Sequence, residues 1–153
     1  MTESAAIVAR IIDADTSREL RRAVLRPKLA VGAELPGDHE PGVVHVGSFS
    51  GGQLLSACLI FPAVCPWRPE LPAWQLRGMA TEPAAQGRGA GTAVVVEAHL
   101  VAARNGAKLL WCLARATAVS FYERNGWTVV GDEFEAIGIP HRNMERDLTG
   151  PVS

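Results

Sequence analysis

The sequence predicts an α+β domain built on a mixed sheet, and three observations support this class. Two strand-like runs flank a Ser-Gly-Gly turn at residues 50–52, as in a β-hairpin. Residues 73–113 then pass through a strand, a glycine-rich loop, a helix and an apolar strand. This order makes a βαβ unit, which brings two strands together in parallel with a right-handed crossover. The sequence has no internal repeat or low-complexity tract, so we expect one domain over residues 1–153.

The N-terminal elements should be a strand, a helix and a loop. IVARIID, residues 7–13, predicts the first strand. Asp, Thr and Ser at residues 15–17 offer side-chain oxygens for an N-cap, and we expect a helix over residues 17–25 that ends before a proline. Residues 30–42 are rich in turn formers and acids, which indicates a loop.

The predicted hairpin comprises GVVHVGSF and QLLSACLIF, on either side of the Gly-Gly turn. Four of the ten prolines then lie within residues 62–72, which indicates a rigid loop because proline cannot donate to a central ladder. Residues 73–80 are strand-like but contain Gly78. A glycine inside a strand often marks a bulge or a close approach to the backbone.

A helix should follow the glycine-rich loop, from about Gly89 to Arg104, and Asn-Gly at residues 105–106 is typical of a left-handed cap. Residues 108–113, KLLWCL, form a near-continuous apolar run, which is typical of a strand buried on both faces.

The chain should end in a short helix and two strands. Thr117 can cap a helix over residues 118–124, which a second Asn-Gly pair at residues 125–126 stops. Residues 127–137 and 140–148 look like two strands joined at a glycine.

Composition and charge argue against several classes of protein. With 15 basic and 16 acidic residues the net charge is −1, which gives no electrostatic footprint for nucleic acid or an anionic membrane. The first 13 residues carry an acid where a signal peptide is basic, and their apolar run is too short to span a membrane. Cys58, Cys65 and Cys112 lack CxxC spacing, which favours neither a disulfide framework nor a metal site. We therefore expect a cytoplasmic protein with a small-molecule partner.

Residues 86–92, QGRGAGT, place three glycines at alternate positions before a helix. Unpaired N–H groups at the positive end of a helix dipole, together with Arg88, suit a phosphate or pyrophosphate; a plain tight turn is the alternative. No lysine follows as in a Walker loop, so a Mg-nucleotide site is not indicated. Gly87, Gly89 and Gly91 give GxGxG where a dinucleotide fold has GxGxxG, which argues against NAD or FAD.

The loop and its surroundings resemble the GNAT superfamily of acetyl-CoA-dependent N-acetyltransferases. Gln86, Gly89 and Gly91 fill the family's pyrophosphate pattern, Q/R-x-x-G-x-G/A, and AVSFYERNGW is similar to its A-x-x-x-Y-E-x-x-G-F/W segment. The resemblance covers residues 73–147 and agrees loosely with the N-terminal elements. It implies a twisted, mostly antiparallel sheet with a central parallel strand pair, flanked by helices.

The ending FEAIGIPHRNM is similar to a subgroup of small bacterial members that share GIPHxxM. At residue 115 the sequence departs from the family. Many members carry an asparagine there, seven residues before the tyrosine, where it bonds the pantetheine or the strand. The arginine here can instead reach a phosphate or an acidic neighbour.

The resemblance also implies where acetyl-CoA would bind. The pantetheine arm would enter a gap between the two parallel strands, and a bulge near Gly78 would expose the N–H and C=O groups of Met79 and Thr81 to it. The pyrophosphate would lie on the amides of residues 86–92, where a β-carbon at Gly89 or Gly91 would obstruct it. The expected cofactor-binding residues are Met79, Thr81, Gln86, Gly87, Arg88, Gly89, Ala90, Gly91 and Thr92.

Tyr122, the only tyrosine, falls on the family's general-acid position, where a phenol can protonate the leaving thiolate. The alternative is a buried aromatic beside Phe121 whose hydroxyl is bonded to the backbone. The base stays open between a relayed water and Glu82, Glu133, Glu135 and His141. The substrate-site candidates are Glu82, Glu133 and His141.

The expected reaction is acetyl transfer from acetyl-CoA to a primary amine in a ternary complex. The alternatives are an acyl-CoA sensor without turnover and an acetyltransferase for a protein or peptide amine. Acids in residues 34–40 and 132–135 could ring the acceptor mouth, which would favour a cationic amine; solvated turns explain them equally. A homodimer stays open.

Overall fold

The computed structural model describes residues 6–153; the first five residues, which enter the argument against a signal peptide, lie outside it. Its strands are β1 (Ile7–Ile12), β2 (Val44–Ser50), β3 (Gln53–Pro62), β4 (Ala73–Thr81), β5 (Leu109–Arg115), β6 (Thr128–Ala136) and β7 (Ile139–Asp147). The helices are α1 (Ala14–Leu25), α2 (Ala90–Arg104) and α3 (Val119–Arg124), and short 3-10 turns cover Pro83–Ala85 and Ala116–Ala118.

The strands form one sheet in the order β1-β2-β3-β4-β5-β7-β6. Neighbouring strands are antiparallel except β4 and β5, which are parallel and joined through α2. The predicted class is confirmed: a mostly antiparallel sheet with a central βαβ unit. The hairpin is confirmed as well, since Gly51 and Gly52 both adopt positive φ, 57° and 87°, as a tight turn between β2 and β3 requires.

Two predicted helix starts are wrong. Helix α1 begins at Ala14 because Asp13 is its N-cap, accepting a 2.7 Å hydrogen bond from the Thr16 amide. Ser17 lies inside the helix and is buried, so its hydroxyl serves the interior instead of the cap. Thr117 caps nothing: it lies within a 3-10 turn, and α3 follows Ala118 without a side-chain cap.

Both predicted Asn-Gly helix ends are confirmed, with Gly106 at φ 87° and Gly126 at φ 86°. The prediction that the strand after α2 is buried on both faces holds for only part of the length of β5. Leu109 to Cys112 are buried, but Leu113 is 44% exposed because β5 has by then separated from β4.

The main core lies between α2 and the sheet, where Val94, Val95, Ala98 and Val101 are buried. His99 completes this face of the helix. It is fully buried, and its Nδ1 lies 2.8 Å from the main-chain oxygen of Ser153. The packing of α2 fixes the position of its N-terminus beside β4.

Candidate active site

The parallel strands β4 and β5 separate after a short paired stretch. Residues 73–75 pair with residues 109–111, and the two strands pair no further in the described structure. The cause lies in β4, where two residues, Gly78 and Met79, stand opposite Cys58 of β3. Gly78 has φ 62°, which favours glycine, so the bulge predicted there is confirmed.

The gap between these strands forms a cavity of about 470 Å³, here called the central cavity. Helix α1, the loop after it, α3 and the turn between β6 and β7 close it on the other sides. Its lining includes Leu76, Met79, Cys112, Ala114, Tyr122 and His141.

Tyr122 is 4% exposed and packs against Phe121 and Trp127, with ring centroids 5.3 and 5.0 Å away. Within residues 6–153 its hydroxyl has no hydrogen-bond partner, so the alternative of a phenol bonded to the backbone does not describe this structure. Burial raises the pKa of the phenol well above its ordinary value of 10. The side chain is therefore a neutral donor across the physiological pH range.

His141 lines the same cavity from β7 and is 7% exposed. Its Nδ1 lies 2.7 Å from the carbonyl oxygen of Ile139. Because a carbonyl oxygen only accepts, the proton of the neutral ring is on Nδ1 and the lone pair on Nε2. The ring stacks on Phe134 with centroids 6.0 Å apart, which fixes its orientation. This arrangement leaves Nε2 as a proton acceptor.

The other substrate candidates lie elsewhere. Glu82 is half-buried beside β3, where its amide donates a 2.7 Å bond to the Leu55 carbonyl, and its side chain lines neither cavity described here. Glu133 and Glu135 are exposed on β6 and also line neither cavity. Of the candidates, the structure brings only His141 into the cavity with Tyr122.

The expectation of an acidic acceptor mouth is contradicted. Among the described residues, no aspartate or glutamate lines the central cavity. Asp38 is buried in contact with Arg18 and Arg21, and these arginines hold the pKa of its carboxyl below the usual value against the opposing effect of burial. Glu34 lies 3.1 Å from His39 on the surface. Instead, the lining contains Arg21, Arg26, Arg77, Arg115 and His141.

A second cavity of about 520 Å³, here called the loop cavity, lies over the glycine-rich loop. It shares Val24, Met79, Thr117 and Ala118 with the central cavity, so the two cavities adjoin at these residues. The predicted cofactor residues in its lining are Met79, Thr81, Gln86, Gly87, Gly89, Ala90, Gly91 and Thr92. Arg88 is exposed and does not line it, whereas Arg124 of α3 does.

Glycine is favoured at the positions of this loop for different physical reasons. Gly87 and Gly89 adopt φ 79° and 86° with open space around them, so glycine is favoured there by backbone conformation. A β-carbon at Gly91 would instead lie 3.2 Å from both the Phe121 ring and the Thr81 hydroxyl. The expected obstruction at Gly91 is therefore one of packing within the protein.

The amides of the loop are only partly free. Those of Gln86 and Arg88 donate to turn carbonyls at 3.3 Å. The first intrahelical bond of α2 runs from Ala93 to Gly89 at 3.0 Å, so the amides of residues 90–92 precede the hydrogen-bonded ladder. They present the positive end of the helix dipole to the loop cavity.

Sequence analysis missed the residues that anchor this helix start. The Ser48 and Ser56 hydroxyls, both buried, contact the Ala90 carbonyl at 3.0 and 2.8 Å. These serines lie on β2 and β3, more than thirty residues away in sequence, and no local pattern could have identified them. Arg21 was missed because Asp38 and the rest of the cavity wall belong to other segments of the chain.

Within residues 6–153, no group of three or more His, Cys, Asp or Glu side chains is placed to hold a metal ion. In the same part of the chain, every helix falls short of the length and apolar character needed to cross a bilayer.

A sheet that opens between two parallel strands, beside a glycine-rich helix start, agrees with the resemblance to acyl-CoA-dependent acyltransferases. Residues 72–148 match the family model described as acetyltransferase (GNAT) domain. The chain belongs to this GNAT acetyltransferase family and is an enzyme of the acyltransferase class. Members of the family bind acyl-CoA and act on amine acceptors.

Individual relatives agree with this assignment. The uncharacterized N-acetyltransferase YitI of Bacillus subtilis (strain 168) is 32% identical over 129 residues, which cover 84% of this chain and 87% of that protein. A putative N-acetyltransferase from Lactobacillus plantarum has the same fold, with a TM-score of 0.74, 19% identity and coverage of 92% and 99% of the two chains. An aminoglycoside 6'-N-acetyltransferase complexed with coenzyme A gives a TM-score of 0.71 at 13% identity, covering 95% and 99%.

Proposed function

We propose that this enzyme transfers an acetyl group from acetyl-CoA to a primary amine by direct attack in a ternary complex. The observation that carries this proposal is that the two cavities adjoin. One contains the glycine-rich helix start, the other contains Tyr122 and His141, and Met79 belongs to both. A donor laid across Met79 would place its phosphates and its thioester in two adjoining spaces.

The donor would bind through backbone groups. The pyrophosphate would accept hydrogen bonds from the amides of Gly87 and residues 89–92, with Gln86 beside them and Arg124 as a nearby cation. Arg124 supports this role better than Arg88, because only Arg124 lines the loop cavity. The pantetheine arm would lie along Met79 and Thr81, on the edge of β4 that β5 leaves unpaired.

The chemistry would proceed in the central cavity. The neutral amine attacks the thioester carbonyl, and the tetrahedral intermediate collapses as the carbon–sulfur bond breaks. Tyr122 gives its proton to the departing thiolate, which its neutral state permits. The proton lost by the amine passes to Nε2 of His141, directly or through a water, because the other ring nitrogen is already engaged with Ile139.

The test measures CoA release from acetyl-CoA with a panel of primary amines. Tyr122→Phe keeps the ring that packs on Trp127 and removes only the acid, so CoA affinity by calorimetry should stay within about twofold while kcat falls roughly 10²- to 10⁴-fold. Comparable turnover in this variant would remove the acid role. If no amine in the panel supported CoA release, amine acetylation would be the wrong reaction.

We further propose that residues 1–153 act as a single domain in the cytoplasm. Cys58, Cys65 and Cys112 are buried free thiols, as is usual in a reducing compartment. Association of two copies would appear in light scattering of the purified protein as twice the mass of one chain.

A further inference from the structure

Arg21 of α1 is a buried cation in the wall of the central cavity, with 1% of its surface exposed. Its guanidinium is held at two of its three nitrogens. Nε donates to the Ser17 hydroxyl at 2.7 Å, and one terminal nitrogen, Nη2, donates to Asp38 at 2.5 Å. The other terminal nitrogen, Nη1, has no hydrogen-bond partner in the described part of the chain.

The unpaired Nη1 lies next to the bulge in β4. A β-carbon at Gly78 would be 3.1 Å from Nη1, and Gly78 and Arg21 line the same cavity. Nη1 is not one of the fully enclosed unpaired atoms of the described residues, so it is reached from the cavity and needs an acceptor there. A ligand oxygen in the cavity can be that acceptor.

The support for Arg21 is rigid. Asp38 is itself buried, and its second oxygen is taken by Arg18 at 2.7 Å and by the Leu35 amide at 3.2 Å. The Ser17 hydroxyl, which accepts from Arg21, also shares a hydrogen bond with Nδ1 of His45, 2.9 Å away. With these bonds in place the guanidinium has little freedom to turn away from the cavity.

The charge of the cavity agrees with an anionic ligand. Besides Arg21, the lining contains Arg26, Arg77 and Arg115, and no carboxylate from the described residues compensates them there. A cationic acceptor would meet repulsion on several sides. A carboxylate suits a guanidinium best, because its two oxygens accept charge-assisted hydrogen bonds from the planar group.

We propose that the acceptor is an amine that also carries a carboxylate, as an amino acid does, and that Arg21 binds this carboxylate. The inference rests on the proposed acetyl transfer and names its substrate class. The amino group then lies on the Tyr122 and His141 side of the cavity and the carboxylate on the side of Gly78. Amines without an acidic group are poor acceptors.

The experiment compares product analogues that differ only in this group. Calorimetry on the CoA-saturated protein uses N-acetyl derivatives of glycine, alanine, leucine, phenylalanine and glutamate, each as the free acid and as the α-amide. At least one acid should bind about tenfold or more tighter than its amide. Equal binding of acid and amide in every pair, or no binding by any acid, overturns the proposal.

Substitutions test whether Arg21 causes the preference for the free acid over the amide. Arg21→Gln should reduce the acid preference to about threefold or less. Arg104→Gln, which changes an exposed arginine outside both cavities, should leave it intact. An undiminished preference in folded Arg21→Gln contradicts the assignment. If that variant fails to fold, Arg21→Lys, which keeps the charge but loses the planar fork, should show the same reduction.

These binding measurements need no turnover. A preserved acid preference without acetyl transfer to any acceptor would therefore contradict the proposed reaction and leave the carboxylate site standing. Acetyl transfer that is faster with amino acid amides than with free amino acids would support the proposed reaction and contradict the carboxylate site.

Discussion

The indole of Trp127 donates a 2.9 Å hydrogen bond to Nε2 of the fully buried His99. This contact requires the neutral imidazole with its proton on Nδ1, which faces Ser153. Burial accordingly lowers the pKa of His99 from 6.5 to about 4. The buried face of α2 thus contains a group whose protonation destabilises the folded state.

Stability should fall between pH 7 and pH 5. Because the folded pKa of His99 is below the unfolded value, its contribution is complete above about 6.5 and is lost as the pH falls toward 4. The free energy of unfolding in urea should drop by about 2 kcal/mol over this interval. The buried His45, whose pKa is also lowered by burial, acts in the same direction.

His99→Gln should flatten this dependence, whereas His39→Gln, at an exposed position, should not alter it. The chosen interval lies above the range in which carboxyls such as Asp38 take up protons, so they add little. An unchanged slope in His99→Gln would show that other groups carry the effect.

Replacing His141 should slow the chemical step. His141→Gln keeps a polar side chain of similar length but cannot accept the proton of the amine. We expect kcat to fall about 10²-fold, with KM for acetyl-CoA within about twofold, in steady-state assays. His39→Gln is the matched control. If the KM for the amine rose while kcat held, His141 would position the acceptor instead of acting as its base.

The loop glycines should respond differently to alanine. Gly89→Ala forces a side chain into the left-handed region, and the free energy of unfolding should fall by about 1 to 2 kcal/mol. Gly91→Ala lies in α2, where alanine is the better helix former, but its β-carbon displaces Phe121 and Thr81. Its main effect should be a KM for acetyl-CoA raised about tenfold or more, and equal KM effects in the two variants would argue against this distinction.

Ile137 carries strain at the edge of the central cavity. It is 63% exposed, lines that cavity, and has φ 49°, a conformation that a β-branched residue rarely adopts. Ile137→Asn should raise the free energy of unfolding by about 1 kcal/mol, because asparagine tolerates this region. The KM for the amine should rise at the same time. Val31→Asn, at a more exposed site outside both cavities, should change neither quantity.

The elements that determine the donor half of the site depend on local sequence. The turn glycines, the helix start and the bulge at Gly78 are consequences of backbone conformations that only certain residues adopt, so their positions could be predicted. The family pattern around Tyr122 is local in the same way. The structure places Tyr122 in the cavity, while its role as acid stays a prediction.

The acceptor half could not be predicted because it depends on contacts between distant segments. Asp38 belongs to a predicted acidic loop that could face a ligand, yet each of its carboxylate oxygens forms a salt bridge with an arginine of α1. No pattern in the sequence singles out Arg21, and only the packing of α1 against β4 places it beside Gly78. The sign of the cavity's charge therefore follows from tertiary structure alone.

Gly78, the extra residue in the β4 bulge, is a position at which one deletion could remove the proposed binding site. Deleting Gly78 would restore the ladder between β3 and β4, because Met79 alone would then stand opposite Cys58 while Ala80 and Thr81 kept their partners. Without the bulge β4 would lose the kink that turns it away from β5, and the gap that forms the central cavity would narrow. A single codon, specifying a residue without a side chain, thus keeps the sheet open where the proposed site lies.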